Sequence, residues 1–324
     1  MKVDYIIVGQ GLAGTILGLK LIENGFTVAI IDNTHFGSAS LVAAGVMNPI
    51  TGRRLVKAWM YDELFLTAKT FYQAQEKKFS VSLFNEYPIY WLLQNAKEEK
   101  DWLSKYSEVI NNFNPEIFNA LSFGVVNHAA QVNVALLLEI TKKHFQSTQI
   151  YLQEFVKYEN IKYSHTTVTF KNITAKKLIF CGGAKDASNP FFTNLPFLLS
   201  KGEALIINKL SFVADNFLIK KSATLVPLLD NQFWLGATNS WQVDCDSPTL
   251  SAKEELLKEW KNMTTATFDI VAQKAAIRPT TQSRKPIIAT SHLTPNILLF
   301  NGFGTKGTSL IPYFAEEFCK KVVK

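Results

Sequence analysis

Cysteine is nearly missing from this chain. Its 324 residues hold three, Cys181, Cys245 and Cys319, an odd and widely spaced set that supports neither a disulfide framework nor a zinc site. The five histidines are equally scattered, so no metal centre is expected. No run approaches the roughly 20 apolar residues that cross a bilayer. The opening "MKVDYIIVG" lacks the charged, apolar and small-residue layout of a signal peptide, and a cytoplasmic location is expected. Internal repeats and low-complexity stretches are absent. With 47% apolar and 19% charged residues, the composition excludes a disordered chain and an extended coiled coil. The net charge of +7 comes without a dense basic block, which reads as a solvated surface rather than a nucleic-acid footprint.

Glycine is also scarce, at 16 residues, but nine of these fall in three short segments: Gly9, Gly11, Gly14 and Gly18; Gly182 and Gly183; Gly302, Gly304 and Gly307. The first segment follows an apolar, β-branched run at 5–8 and opens a helical period at 13–24 that Gly25 closes. A second strand at 27–31 ends on Asp32. This is a βαβ unit with an acidic residue about 20 positions past the turn. In "GQGLAG" Gly9 makes the tight turn, Gly11 leaves room for a pyrophosphate and Gly14 lets helix and strand pack closely. The helix start, with Leu12 and Ala13, faces the phosphates, and Asp32 beside Asn33 accepts from an adenosine ribose. NAD and FAD share this unit.

The third glycine segment bears on that choice. "NGFGTKGT" lies between an apolar strand and a helix running to 324, so its backbone N–H groups and the positive helix end can meet an electron-rich ligand atom. That suits a reduced flavin, which gathers charge at N1 and the C2 carbonyl. A plain helix-start turn is the other reading.

Between these ends the pattern predicts a long amphipathic helix at 55–78, a strand in "EYPIYWLL", helices at 96–106, 115–121 and 132–145, and a strand at 150–156. Strands follow at "TVTF" and "KLIFCGG". A second strand-rich stretch runs through "KGEALIIN" and "ATLVPLLDNQFWLGATNSW" to a helix at 251–263, with Ser251 as N-cap and Glu254 at the capping-box position. In the final helix Pro312 fits the first turn, and Lys320, Lys321 and Lys324 suit its C-terminal end.

Taken in order, "IIVGQGLAG", "ASLVAAGVMNP", "VNVALLL", "KLIFCGGA", "KGEALII", "LVPLLDNQFWLGAT", "AAIRPTTQSRKPIIA" and "LLFNGFGTKGTSLIPYFAEE" resemble the D-amino-acid oxidase and glycine oxidase family. The last two segments are also similar to the oxidase domain of the bifunctional enzyme that modifies tRNA wobble uridines. The resemblance implies a mixed α/β fold, with a Rossmann-like FAD-binding domain in discontinuous pieces, 1–80, 122–195 and 285–324, and an antiparallel substrate domain at 81–121 and 196–284. It implies oxidation of a C–N bond of a small amine or amino acid by hydride transfer to non-covalent FAD, with oxygen or another acceptor taking the electrons. A tRNA-linked oxidoreductase and a flavin-binding protein without turnover remain as rival readings.

By position, Gly9, Gly11, Gly14 and Asp32 match the ADP-binding residues and Val156 the backbone contact to adenine. Ser40 counts among the cofactor-binding residues the resemblance implies, and the loop Ala43, Ala44, Gly45, Val46 and Met47 matches the stretch passing the isoalloxazine ring. Cys181, Gly182 and Gly183 close a cofactor-side strand. Gly304, Thr305, Lys306, Gly307 and Thr308 match the loop over the flavin pyrimidine edge, with Gly302 a further cofactor-binding residue. Arg278 matches the arginine that grips a substrate carboxylate, or it holds the Arg-Pro turn structurally. Lys306 is a charge near the flavin or a solvent-facing lysine, and Met47 and Trp241 wall the pocket or fill the core. Arg53, Arg54 and Lys57 meet an anionic ligand or form a solvated helix start. Two departures bear on the pocket: Ser283, Arg284 and Lys285 replace the usual Asp-Gly, and Lys201, Gly202 and Glu203 replace Arg-Gly-Gln.

Overall fold

The computed structural model describes residues 1–34, 38–52, 55–208, 210, 216–229 and 231–322. Its first sheet has eight strands. Tyr151–Gln153, Val28–Asp32, Lys2–Val8 and Ile173–Phe180 pair parallel in that order, and Ile297–Asn301 joins parallel beyond them. The far edge of Ile173–Phe180 forks. Its start pairs antiparallel with Val168–Phe170, which leads to Ile161–Tyr163, while its end takes Ile297–Asn301 and then Ile287–Thr290. Both faces are covered. Ile7, Ile30 and Ile179 pack against helices Leu12–Glu23 and Gly307–Val322, and Ile6, Ile31 and Leu178 fill the other side. Uninterrupted apolar runs such as "YIIV" are what such double burial requires.

A second eight-stranded sheet runs Ile270–Arg278, Ser200–Asn208, Gln232–Gly236, Thr224–Leu228, Leu218–Lys220, Ile89–Leu93, Ser122–Val126 and Val109–Asn111. Its pairs are antiparallel apart from Leu218–Lys220 with Ile89–Leu93. Side chains alternate between its faces. Leu205, Ile207, Leu225, Phe233 and Leu235 pack under Leu256 and Trp260 of helix Leu250–Met263. The opposite face turns Leu218, Val226 and Trp234 toward Ala44, Val46 and Ile50, so the stretch after the dinucleotide unit lies against it. Ser122–Val126 pairs within this sheet, and the boundary expected between 121 and 122 therefore does not separate the two sheets.

Several expected elements change for identifiable reasons. The helix expected from 55 begins at Tyr61, because Val56–Lys57 pairs back onto Ile50–Thr51. "EYPIYWLL" is two strands. Phe84–Glu86 pairs with Ala130–Val132, and past Pro88, which has no N–H to donate, Ile89–Leu93 enters the second sheet. No helix forms at 115–121. Phe118 bridges to Thr264 instead, and the Asn112 amide donates to the carbonyls of Phe118 and Ala120. The N-cap of helix Leu250–Met263 is Thr249 rather than Ser251, since the Thr249 hydroxyl accepts from the Ala252 N–H at 3.3 Å. Pro312 lies inside helix Gly307–Val322, one turn later than expected. The strand expected at 150–156 spans Tyr151–Gln153.

Candidate active site

The glycine turn is built by close approach. A Cβ on Gly14 would stand 1.8 Å from the Gly9 carbonyl oxygen, and one on Gly9 would stand 2.6 Å from the Cys181 carbonyl oxygen. Helix Leu12–Glu23 is thereby pressed onto the carboxyl ends of Lys2–Val8 and Ile173–Phe180. At its start the Leu12 N–H donates to Ser40 Oγ at 3.0 Å, whereas the N–H groups of Gly11, Ala13 and Gly14 make no hydrogen bond among the described residues. These open donors and the helix dipole form an anion seat with a hydroxyl beside it. Gly11 is unlike its neighbours, because a Cβ there would meet nothing nearer than Ser40 Oγ at 3.3 Å.

Asp32 closes the loop from the next strand. Its Oδ1 accepts the Gln10 N–H at 2.9 Å and its Oδ2 the Thr34 N–H at 2.7 Å. A carboxylate held by two backbone donors keeps lone pairs for a diol. Asn33 is exposed beside it. Val156 lies outside the strand on the same sheet edge, and its backbone N–H and carbonyl are free of hydrogen bonds among the described residues.

Gly45, with φ +76°, carries the next loop past the sheet. A Cβ there would lie 1.9 Å from the Val132 carbonyl oxygen, and its own carbonyl accepts the Val132 N–H at 3.0 Å. Ala43 is exposed, Ala44 buried and Val46 half-buried along this loop. Met47 is only 2% exposed and packs in the core with Tyr61 and Phe65. Its side chain fills the core rather than forming a pocket wall.

At the far strand end, Asp186 is buried beneath Gly182. Its Oδ2 accepts the Gly182 N–H at 2.7 Å and the Asn301 amide at 2.8 Å, and Asn301 also reaches the Gly183 carbonyl. Burial raises its pKa to about 6. Asn301 then leads into the third glycine segment: its Oδ1 accepts the Gly302 N–H, and the Gly304 N–H donates to Pro279. Beyond them the N–H groups of Thr305, Gly307 and Thr308 make no hydrogen bond among the described residues. Lys306 stands at the same helix start, and burial, then the nearby Arg284 charge, lowers its pKa.

Arg278 ends strand Ile270–Arg278 on the face that turns toward Ala44–Ile50. Its guanidinium lies across Gly202, where a Cβ would be 1.6 Å from Nη2. It donates to the Thr238 carbonyl at 3.2 and 3.3 Å and to Asn239 Oδ1 at 3.2 Å. No carboxylate pairs with it or with Lys306 among the described residues. Burial lowers the arginine's pKa, but a guanidinium stays charged.

The replacements at 201 and 203 point the other way. Lys201 and Glu203 form a buried pair at 3.1 Å, and Glu203 accepts from the Thr249 N–H and hydroxyl at 2.8 Å each. They hold the start of helix Leu250–Met263 on the sheet's opposite face. Trp241 is 56% exposed and does not fill the core. Trp234 takes the inner position that sequence reading missed: its indole donates to the Val42 carbonyl at 3.0 Å and reaches over Gly236. Strand alternation with Gly236 was the available signal. Lys57 pairs with Asp62 at 2.5 Å, and Arg53 and Arg54 lie outside the described residues. Cys181 and Cys319 are buried and Cys245 is exposed, all as free thiols. Burial pushes the Cys319 thiol up to about 11. Neither a metal-binding cluster nor a helix long and apolar enough to cross a membrane occurs among the described residues.

Residues 4–321 match the family model described as DAO, FAD dependent oxidoreductase. The chain belongs to that family. FAD is accordingly its cofactor, and the glycine turn, Asp32 and the open donors at both helix starts fit such a dinucleotide. Solved structures share the fold. Glycine oxidase from Bacillus cereus superposes with a TM-score of 0.81 at 18% identity, covering 99% of this chain and 95% of that one. Iminodiacetate oxidase from Chelativorans sp. BNC1 gives 0.80 at 19% identity with the same coverages. L-proline dehydrogenase from P. horikoshii gives 0.79 at 13% identity, covering 99% and 93%. The DAO family chain thus joins a parallel dinucleotide sheet to a largely antiparallel sheet whose inner face carries Arg278.

Proposed function

We propose that the chain oxidises a carbon–nitrogen bond of a small amine or amino acid, with oxygen or another acceptor removing the electrons. The observation that carries this reading is Arg278, a half-buried cation on the inner sheet face whose acceptors among the described residues are all neutral. Bidentate capture of a carboxylate supplies the counter-ion it lacks.

FAD, when bound, would supply the two-electron acceptor for the substrate hydride. The N–H groups of Gly11, Ala13 and Gly14, with Ser40, seat its pyrophosphate. Asp32 accepts from the ribose, and the Val156 backbone meets the adenine. Loop 43–47 passes the ring, and the strand ends at Cys181–Gly183 and Gly302 support it. The N–H groups of Thr305, Gly307 and Thr308, together with Lys306, stabilise charge gathering at the ring's pyrimidine edge. Arg278 and Trp234 orient the substrate carbon, and orientation supplies most of the rate. The substrate amine must be neutral at transfer, and an apolar wall favours that form by desolvation.

Anaerobic addition of glycine, sarcosine, D-amino acids and simple amines to the FAD-loaded protein tests the reading. Bleaching of the flavin bands by one class supports it. Bands that no amine bleaches count against it. For Arg278→Lys, kcat/KM on carboxylate substrates should fall at least a hundredfold, and unchanged kinetics would remove the arginine from this role.

A further inference from the structure

Two loops leave the first sheet where one of its ladders ends. Strands Ile173–Phe180 and Ile297–Asn301 pair in parallel as far as Phe180 and Leu299, and beyond that point one chain enters the second glycine segment and the other the third. A side-chain link continues the contact past the ladder. Asp186 and Asn301 lie 115 positions apart in sequence, and the Asn301 amide donates to Asp186 Oδ2 at 2.8 Å. Each is only 2% exposed. The backbone leaves room for the carboxylate, since a Cβ on Gly182 would stand 2.8 Å from Asp186 Oδ1.

Every hydrogen-bond partner of this carboxylate is a neutral donor. Oδ2 accepts the Gly182 N–H at 2.7 Å besides Asn301, and Oδ1 accepts the Asn189 amide at 3.3 Å. No cation pairs with it among the described residues. Burying a carboxylate in this way is costly, and what the arrangement fixes is the orientation of one amide. With its nitrogen drawn to Asp186 and to the Gly183 carbonyl at 2.9 Å, Asn301 turns its oxygen to the Gly302 N–H, which it accepts at 2.7 Å. That N–H finds no backbone acceptor among the described residues. Gly302 has φ +80°, and from it the chain passes through Phe303, packed on Phe300 at 4.9 Å between ring centroids, to the open N–H groups of Thr305, Gly307 and Thr308.

We propose that Asp186 and Asn301 are positioning residues for the cofactor: the carboxylate orients the amide, the amide sets the Gly302 turn, and the turn aims the N–H groups of Thr305, Gly307 and Thr308 at the flavin's pyrimidine edge. The inference rests on the flavin contact proposed above. Donors fixed before charge arrives stabilise the reduced ring without reorganising. Loosening the link therefore lowers the potential of the flavin and not only the stability of the protein.

The midpoint potential of the bound flavin at fixed pH, with the thermal midpoint beside it, tests this. Asn301→Ala changes no charge and should weaken the preference for reduced over oxidised flavin about tenfold, a fall of about 30 mV for a two-electron couple. Asp186→Asn and Asp186→Leu remove the same charge, so the difference between them reports orientation alone. The asparagine keeps an acceptor for Gly182 and Asn301 and should retain about threefold more of that preference than the leucine, the worth of an ordinary hydrogen bond. Should Asp186→Leu fail to fold, Asp186→Ala takes its place. A wild-type potential in Asn301→Ala, or equal potentials in the two Asp186 variants, would overturn the proposal even where the thermal midpoint falls. Wild-type protein that takes up no flavin, or whose flavin no amine bleaches, defeats the underlying reading; flavin that binds and bleaches but keeps its potential in Asn301→Ala defeats only the positioning role.

Discussion

The Tyr72 hydroxyl donates a 2.9 Å hydrogen bond to the carbonyl oxygen of Thr308. That oxygen would accept from residue 312 in an uninterrupted helix, but residue 312 is proline and has no N–H. A fully buried tyrosine from helix Tyr61–Phe79 thus completes a helix whose first turn borders the third glycine segment. Tyr72→Phe should destabilise the protein by about 1–2 kcal/mol in urea unfolding, by leaving a buried carbonyl unsatisfied. In a Pro312→Ala background the restored N–H should cut that cost to less than half, a coupling that a double-mutant cycle measures.

Gly11 and Gly14 should separate cofactor binding from folding. Gly11→Val meets only Ser40 and should leave the thermal midpoint of the flavin-free protein within a few degrees of wild type while abolishing flavin retention. Flavin retained at wild-type stoichiometry would count heavily against the assigned anion seat. Gly14→Ala drives a Cβ into the Gly9 carbonyl and should lower the midpoint as well as the flavin content, consistent with the roughly 1–3 kcal/mol that overpacking typically costs.

Asp186 should leave a signature in the pH dependence of stability. Its folded pKa, near 6, is raised by burial above the unfolded value near 3.9. The native state therefore holds the proton more tightly, so stability present below about pH 4 is lost as pH rises through 6. The loss is on the order of 3 kcal/mol at most. Asp186→Asn cannot ionise and should flatten this part of the profile, read as the difference between wild-type and variant unfolding free energies from pH 4 to 7. A parallel pair of profiles would refute the assignment.

Lys306 should tune the flavin. The proposed function puts Lys306 beside the pyrimidine edge, where its positive charge would favour the reduced form, so Lys306→Met should shift the midpoint potential to more negative values. A shift on the order of 30 mV corresponds to about 1.4 kcal/mol for a two-electron couple. An unchanged potential would make the lysine a surface group.

The dinucleotide unit was legible because its signals are local. Strand 5–8, the three glycines, the helical period and Asp32 all act within about thirty positions, and the structure places each where the spacing put it. The start of helix Tyr61–Phe79 was not legible, since the pairing of Val56–Lys57 with Ile50–Thr51 overrides the propensity of residues after 55. The same holds for Thr249, whose capping position is fixed by Glu203, 46 positions away. The inner face of the second sheet was the least accessible feature. Knowing that Trp234 and Arg278 share a side requires the register of strands far apart in sequence; alternation with Gly236 puts Trp234 on one face but does not say which face is the inner one.

The forked edge of Ile173–Phe180 bears on how the protein is made. The first strand meets Val28–Asp32 early, but its other neighbour, Ile173–Phe180, is made much later, and the bond from the Met1 amino group to the Asn172 carbonyl spans 171 positions. All eight strands of the second sheet lie between Ile89 and Arg278, so that lobe can assemble while residues 302–308 are still in the exit tunnel. Closure of the flavin site, which needs residues 302–308, then follows assembly of that lobe.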